Sequence, residues 1–474
     1  MTRSISAARV ATLVGDFDRS PAYAGLADEL RLLIGDGRIA LDTRLPSERE
    51  LTESLGVSRT TVTRAYAELR DHGYAEARRG SGTFTRVPAG RHRVQDNALL
   101  PYSGDEDAID LNCAAASAPP GIAAAYQHAA GELPAYLGGH GYFPAGLPQL
   151  QAAIAATYDA RGLPTRPEQV MVTPGALTAT AIVAQAFTGP GDRVLVEDPV
   201  YPNATLAIRH SGARVIPSEV DPGGWDLEAV GAALRGTHPK LAYLIPDFQN
   251  PTGHVMTDDQ RATYAGFLRR TRTVAVVDEA HQSLALDGQQ MPLPFAVHSP
   301  GAITIGSASK AFWGGLRLGW IRAEDEQMLR LTRARIGLDL GAPVLEQLVL
   351  THLLSDPDAV VDEHRARLRE QRDALVAAVA ARLPDWRFHR PRGGLALWCQ
   401  LPRPGATAVA AEAERRGVIL APGPVFAAEG GLDRFLRIPW TASADRLEEA
   451  VTRLAAAWAA VGRGDRPRPR ILVA

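Results

Sequence analysis

The sequence predicts two folded parts of different class. A small N-terminal α+β module carries a winged helix-turn-helix. A large α/β unit follows, with a mostly parallel sheet and a smaller α+β lobe at its C-terminal end. Three observations predict this. Residues 45–74, "LPSERELTESLGVSRTTVTRAYAELRDHGY", hold two capped helical stretches around a glycine. From about 111 onward, apolar runs of strand length alternate with helical stretches. From about 370 the chain turns to a helix followed by "GGLALWCQLP" and "RFLRIPW".

The bulk composition bounds the rest. At 474 residues the chain is too long for one ordinary core. Hydrophobic residues make up 46% and charged residues 22%, the profile of a soluble globular protein. No apolar run approaches the ~18 residues of a membrane helix, and Asp16 and Asp18 come too early for a secretory signal. Cys113 and Cys399 form no CxxC and read as two reduced thiols of a cytoplasmic protein. No metal site and no membrane partner are expected. The net charge of -2 advertises no nucleic-acid partner, but its distribution does. Between Ser58 and Arg86, six arginines (59, 64, 70, 78, 79, 86) face three acids (Glu68, Asp71, Glu76), a local charge of +3.

The N-terminal module occupies residues 1–86. Ser47 and Glu50 have the spacing of a capping box, and Leu51 and Leu55 face inward from the helix they open. Gly56 ends that helix and Ser58 caps the next. Val62, Ala65, Tyr66 and Leu69 then form one buried stripe, leaving Arg59, Thr60, Thr61 and Arg64 on the other faces. An apolar back and a polar N-terminal front are what a helix entering a major groove needs. Tyr74 to Arg79 and Thr83 to Arg86 can pair as a hairpin across Gly80-Ser81-Gly82, with Arg78 and Arg79 at its edge. Residues 87–110 follow, with Pro, Gly and charge but no sustained periodicity, and read as a linker.

In the unit from 111 to 474 the apolar runs are "VMVTP" (170–174), "RVLVED" (193–198), "LAYLIP" (241–246), "TVAVVDE" (273–279) and "AITIGS" (302–307). Just beyond the last of these, "GSASKAFWGGLRLGW" contains Lys310. Of 51 basic side chains only Lys240 and Lys310 are lysine. An unprotonated amine forms imines with aldehydes and a guanidinium does not, so Lys310 is a candidate for Schiff-base chemistry. Lys240 precedes a strand and needs no such role.

An aldehyde cofactor with a phosphate, pyridoxal 5'-phosphate (PLP), requires five features beyond a shape. It needs an imine-forming lysine, a phosphate cradle, an anion at the pyridine nitrogen, a donor to the phenolic oxygen and a flat group over the ring. Ser307 and Arg317 flank Lys310 and can hold phosphate. "VTPGALTAT" (172–180) is a strand, a turn and a helix start, whose N–H groups at Ala176 and Leu177 can face an anion. Asp278 closes its strand and can serve the pyridine nitrogen. Asn250 in "FQNPTG" can donate to the phenolic oxygen, and Tyr201 in "EDPVYPNA" can stack on the ring.

These motifs, in this order, resemble the fold-type I, aminotransferase-like PLP-dependent transferase fold over residues 111–474, with the small lobe at about 370–474. The resemblance implies two further roles. Tyr142 in "GYFPAG" would reach the phosphate of the neighbouring subunit, and Arg437 in "FLRIPW" would clamp a substrate or effector carboxylate. One position departs from the pattern. Three residues after the aspartate the family usually has a tyrosine that bonds the phenolic oxygen; here it is His281. The departure bears on catalysis more than on cofactor binding.

The N-terminal module resembles the GntR-type winged helix, which implies that Arg49, Ser58, Arg59, Thr60 and Thr61 contact double-stranded DNA, with Gly80 at the wing. The combination resembles the MocR-type transcriptional regulators. That resemblance implies a head-to-tail homodimer on two half-sites, responsive to PLP, or to PLP plus a small-molecule amine or amino acid. Two other readings stay open at this point. The chain can be a working PLP-dependent aminotransferase with an accessory DNA-binding module, or its large unit can be an inert dimerisation scaffold. The terminal "RGDRPRPRILVA" reads as a disordered end.

Overall fold

The computed structural model describes residues 4–35, 38–78, 80–86 and 108–463. The described residues fall into two compact units: those up to 86 with 118–128, and 108–117 with 129–463. The segment read as linker lies outside the described residues except for its last three positions, and the C-terminal tail lies outside them beyond Arg463.

In the N-terminal unit the described helices before residue 72 are α1 (Ala7–Val14), α2 (Ala22–Gly35), α3 (Glu48–Leu55) and α4 (Arg59–Asp71). The hairpin is β1 (Ala75–Arg78) with β2 (Gly82–Thr85), paired from Ala75↔Thr85 to Arg78↔Gly82. Both caps form as the sequence requires. The Ser47 hydroxyl accepts from the Glu50 N–H at 3.3 Å, and the Glu50 carboxylate accepts from the Ser47 N–H at 2.9 Å. Gly56 ends α3 in the left-handed region at φ 62°, a conformation that costs glycine little. Ser58 then caps α4 by accepting from the Thr61 N–H at 3.0 Å. Leu51, Val62, Ala65, Tyr66 and Leu69 are buried in one core, and Leu55 packs against it only partly covered. The Tyr66 hydroxyl donates to the Pro46 carbonyl at 2.9 Å, so its polar end is satisfied inside that core.

The second unit opens with β3 (Ile109–Asp110), which pairs parallel with β13 (Val418–Ile419). Its main sheet has eight strands. These are β4 (Val170–Thr173), β5 (Arg193–Asp198), β6 (Arg214–Asp221), β7 (Gly224–Trp225), β8 (Leu241–Leu244), β9 (Val274–Asp278), β10 (Ile303–Ser307) and β11 (Gly319–Arg322). Their order is β4-β11-β10-β9-β8-β5-β6-β7. β10, β9, β8, β5 and β6 run parallel, while β11 lies antiparallel between β10 and β4. Every residue of β4 and β8 is buried, as strands covered on both faces must be. The five runs singled out in the sequence all appear as strands. β6, β7 and β11 come in addition.

The C-terminal lobe has β12 (Ala396–Gln400), β14 (Ala421–Pro422) and β15 (Phe435–Pro439) in the order β12-β15-β14. The helices Pro357–Arg382 and Ala444–Arg463 belong to it, and Leu397, Cys399, Leu436, Ile438 and Trp440 lie in its core. Ile109, Leu111 and Ala114 belong to the same core, so the chain just after the linker is built into the small lobe.

Candidate functional sites

The parallel strands deliver their C-terminal ends to one edge of the sheet, where open α/β sheets place ligands. β5 leads to Tyr201, β8 to Asn250, β9 ends on Asp278, and β10 ends on Ser307 just before Lys310. The register Thr173↔Gly319 and Ser307↔Gly319 brings the ends of β4 and β10 to either side of the start of β11. Ala176 opens the helix Ala176–Phe187, so the N–H groups of Ala176 and Leu177 have no intrahelical acceptor. Arg317 lies against this helix start. A Cβ added to Gly175 would come 2.9 Å from its Nη2, and one added to Gly319 would come 2.6 Å from the Ala176 nitrogen. No carboxylate among the described residues pairs with Arg317. Two free N–H groups, a guanidinium and the Ser307 hydroxyl, which already accepts from the Ser309 N–H at 3.2 Å, therefore converge with no anion of the chain between them.

Around Lys310 the groups are close enough to feel one another's charge. Burial lowers the Lys310 pKa, and the charges of Cys113, Arg437, Asp278 and Arg317 act on it next. Asp278 is buried, which raises its pKa; the Tyr243 hydroxyl at 2.5 Å and the Ala280 N–H at 2.9 Å donate to it and oppose that rise. Burial also raises the Tyr201 pKa, and its oxygen accepts from the Asn203 amide at 3.0 Å. Arg437 is 6% exposed, and burial pushes its pKa down to about 10. Its guanidinium stacks on Phe426 at 4.6 Å and reaches the Asn250 side-chain oxygen at 3.5 Å.

His281 occupies the departed position, and its hydrogen bonding decides what it can offer. Its Nδ1 lies 3.1 Å from the Phe248 carbonyl, which only an N–H can satisfy. Burial pushes its pKa down to about 4, ahead of the repulsion from Lys310, so the ring is neutral. Its Nε2 is then a bare acceptor. A tyrosine hydroxyl would be a donor there, so the donating role that histidine offers on paper is already taken up by Phe248.

The sheet edge thus gathers Lys310, Asp278, Tyr201, Asn250, His281, Ser307, Arg317, Arg437 and the start of the helix at Ala176. Tyr142 is not in this set; it is 58% exposed, with its ring tilted against that of His140. Three participants carry no mark in the sequence. Tyr243 reads as a core strand residue, Phe426 as core, and the segment Asn112–Ala114 as the end of a connection. The pairing of Tyr243 with Val276, which puts Tyr243 on the same face as Asp278, comes from the fold and not from the sequence pattern.

The donor set fits PLP: phosphate donors, an amine, a buried carboxylate and an aromatic ring sit at one edge. On the N-terminal unit, Arg49, Ser58, Arg59 and Thr60 are exposed, Thr61 is partly so, and Gly80 is exposed at φ 73°. Arg49 pairs with Glu53 at 3.2 Å, and Arg59 lies 3.8 Å from Glu48, surface pairs weak enough to give way to phosphate. Arg78 differs. It donates to Glu76 and Asp42 at 2.6 Å each and stacks on Phe84 at 4.3 Å, so the wing's own structure engages it. Arg79 lies outside the described residues.

Fold and donor set together define a fold-type I, aminotransferase-like protein carrying a winged helix-turn-helix. The profile described as "Aminotransferase class I and II" matches residues 117–454, and that of "Bacterial regulatory proteins, gntR family" matches residues 22–85. The chain belongs to the aminotransferase class I and II family, whose homologues depend on PLP, in the gntR-fused, MocR-type arrangement. It is 33% identical to the 2-aminoadipate transaminase of Thermus thermophilus, over 61% of this chain and 75% of that one. It is 28% identical to the HTH-type transcriptional regulator YdcR of Escherichia coli, over 91% of this chain and 98% of that one. It is also 28% identical to the probable rhizopine catabolism regulatory protein MocR of Rhizobium meliloti, over 77% and 78%. Among solved structures, LysN, the α-aminoadipate aminotransferase of Thermus thermophilus complexed with N-(5'-phosphopyridoxyl)-L-leucine, superposes with a TM-score of 0.69. That match has 29% identity and covers 75% of this chain and 92% of that one. Among the described residues, no helix is long and apolar enough to cross a membrane.

Proposed function

We propose that this chain is a PLP-responsive transcriptional regulator that senses the cofactor, an amino compound, or both at Lys310. One observation carries the reading. The same chain presents an outward-facing, capped α4 and a lysine–aspartate–arginine set at a sheet edge, while His281 offers an acceptor where the family usually has a tyrosine donor. When bound, the cofactor supplies an aldehyde that takes up amines reversibly and a ring that draws electrons from them.

Lys310 provides the amine, and burial keeps its pKa below the usual lysine range, which favours the nucleophilic form. Asp278, fixed by Tyr243 and the Ala280 N–H, would keep a proton on the pyridine nitrogen. Asn250 would donate to the phenolic oxygen and Tyr201 would cover the ring. Ser307, Arg317 and the N–H groups of Ala176 and Leu177 would hold the phosphate, joined by the partner subunit's Tyr142 in a head-to-tail homodimer. Arg437 would grip a carboxylate on the effector. On DNA, Arg49, Ser58, Arg59, Thr60 and Thr61 would meet phosphates and base edges, with Gly80 at the wing and two α4 helices on two half-sites. A ligand changes DNA binding only by favouring one of two dimer states. Such a role belongs in the cytoplasm, with the DNA.

The test is a gel shift on the chain's own upstream DNA, with and without PLP and a panel of amines. PLP or an amine is expected to move the midpoint several-fold in the wild type and to leave Lys310→Ala unmoved. A midpoint that no ligand moves rejects the reading. The likeness to a transaminase supports a second reading, an enzyme with an accessory DNA-binding module. Keto-acid-dependent conversion at ordinary turnover, with DNA binding blind to sequence, would favour that one.

A further inference from the structure

Backbone carbonyls of the chain itself accept from the Arg437 guanidinium and from the Lys310 amine. The Asn112 carbonyl accepts from Arg437, the Cys113 carbonyl from the Thr441 hydroxyl at 3.5 Å, and the Ala114 carbonyl from Lys310 Nζ at 2.8 Å. Further along, the Ser117 carbonyl accepts from Arg367 at 2.8 Å. Arg367 also donates to His364 Nδ1 at 2.9 Å, and His364 Nε2 lies 3.3 Å from the carbonyl of Lys310. A relay that runs from the surface inward therefore ties the far end of this strap to the main chain of the lysine.

The contacts on Arg437 are poor ones for a buried cation. Its partners are the neutral oxygens of Asn112 and Asn250, its Nε has no partner, and no carboxylate among the described residues pairs with it. A carboxylate accepting two charge-assisted bonds is a better match than one neutral carbonyl. The near end of the strap is pinned elsewhere. The Ile109 N–H donates to Gly417 at 2.8 Å and the Leu111 N–H to Ile419 at 2.9 Å, both bonds independent of Arg437 and Lys310.

We infer that the strap Asn112–Ser117 is a built-in occupant of the ligand position, and that a carboxylate arriving at Arg437 displaces it. With β3 fixed, the displaced part pivots after Leu111 and the motion passes forward through Ser117. This rests on the reading of Arg437 as a carboxylate clamp.

Cys113 makes the strap directly measurable. The chain has two cysteines, and Cys399 is fully buried, so iodoacetamide on the intact, PLP-loaded protein reports on Cys113. Succinate serves as the carboxylate probe and propylamine as the control. Succinate is expected to speed Cys113 labelling several-fold and to raise amide exchange across residues 112–117, with propylamine doing neither. In Arg437→Met, labelling should be fast from the start and indifferent to succinate. Arg367→Met loosens the far end while leaving Arg437 and Lys310 unchanged. It should label faster and bind succinate about threefold or more tightly, because the strap competes less. If succinate binds, seen as a shift in thermal midpoint, yet labelling is unchanged or slowed, the strap is overturned and the clamp survives. If succinate fails to bind, the clamp falls and the strap with it.

Discussion

Lys310 and His281 show how one residue's chemistry and its surroundings divide the work. The amine at 310 is legible because arginine replaces lysine almost everywhere else in the chain. The tautomer of His281 is not legible, because it is set by a carbonyl 33 positions earlier, on Phe248, itself in the left-handed region at φ 50°. That burial has a measurable consequence. An unfolded histidine takes up its proton near 6.5, whereas His281 resists until about 4. Between those values the unfolded state binds more protons, so this contribution to stability is lost as the pH falls. The wild type should lose about 2 kcal/mol more than His281→Asn between about pH 7 and pH 5, measured by urea denaturation. The difference between the two proteins is the quantity to read. Burial raises the Glu197 carboxyl to about 7, and that group acts in the opposite sense in both proteins.

At the scale of elements, caps and strand ends govern. Ser47→Ala removes both the side-chain acceptor for the Glu50 N–H and a donor to the Glu50 carboxylate. It should destabilise the N-terminal unit by about 1 kcal/mol, read as an earlier melting step with the second transition unmoved. The capping box, the Gly56 stop and the buried stripe of α4 were all legible, because each depends on residues within one or two turns. β11 was not. Its four residues include Gly319 and a charged end, and it is a strand because β4 and β10 pair on either side of it. Gly319→Ala would push a Cβ into the Ala176 nitrogen and should weaken PLP binding about tenfold or more, followed by absorbance titration. The wing gave a partial surprise of the same origin. The sequence placed Arg78 only at the hairpin edge, and Asp42, 36 positions away, engages it.

At the scale of the whole molecule, the predictions concern pairs of chains and DNA. Tyr142 is 58% exposed, and a site shared between subunits would take it from the partner chain. Mixing Tyr142→Phe with Lys310→Ala should therefore restore tight PLP binding to a fraction of sites that neither variant provides alone. A mixture no better than its components would argue against the shared site. On DNA, Arg59→Ala should reduce the slope of log affinity against log salt by about 1 if it holds one phosphate, and an unchanged slope would remove it from the interface.

The sequence by itself determined the two classes of fold, the order of the motifs and the identity of the cofactor, because these rest on local periodicity, caps and the chemistry of single residue types. It also fixed the amine, the carboxylate and the guanidinium as candidates. Only the tertiary structure decided which neighbours those groups keep. It placed Tyr243 on Asp278, turned His281 into an acceptor and laid the carbonyls of Asn112 and Ala114 on Arg437 and Lys310. Each of these depends on distant segments meeting where water is excluded, and there a buried polar group must take whatever partner the fold supplies.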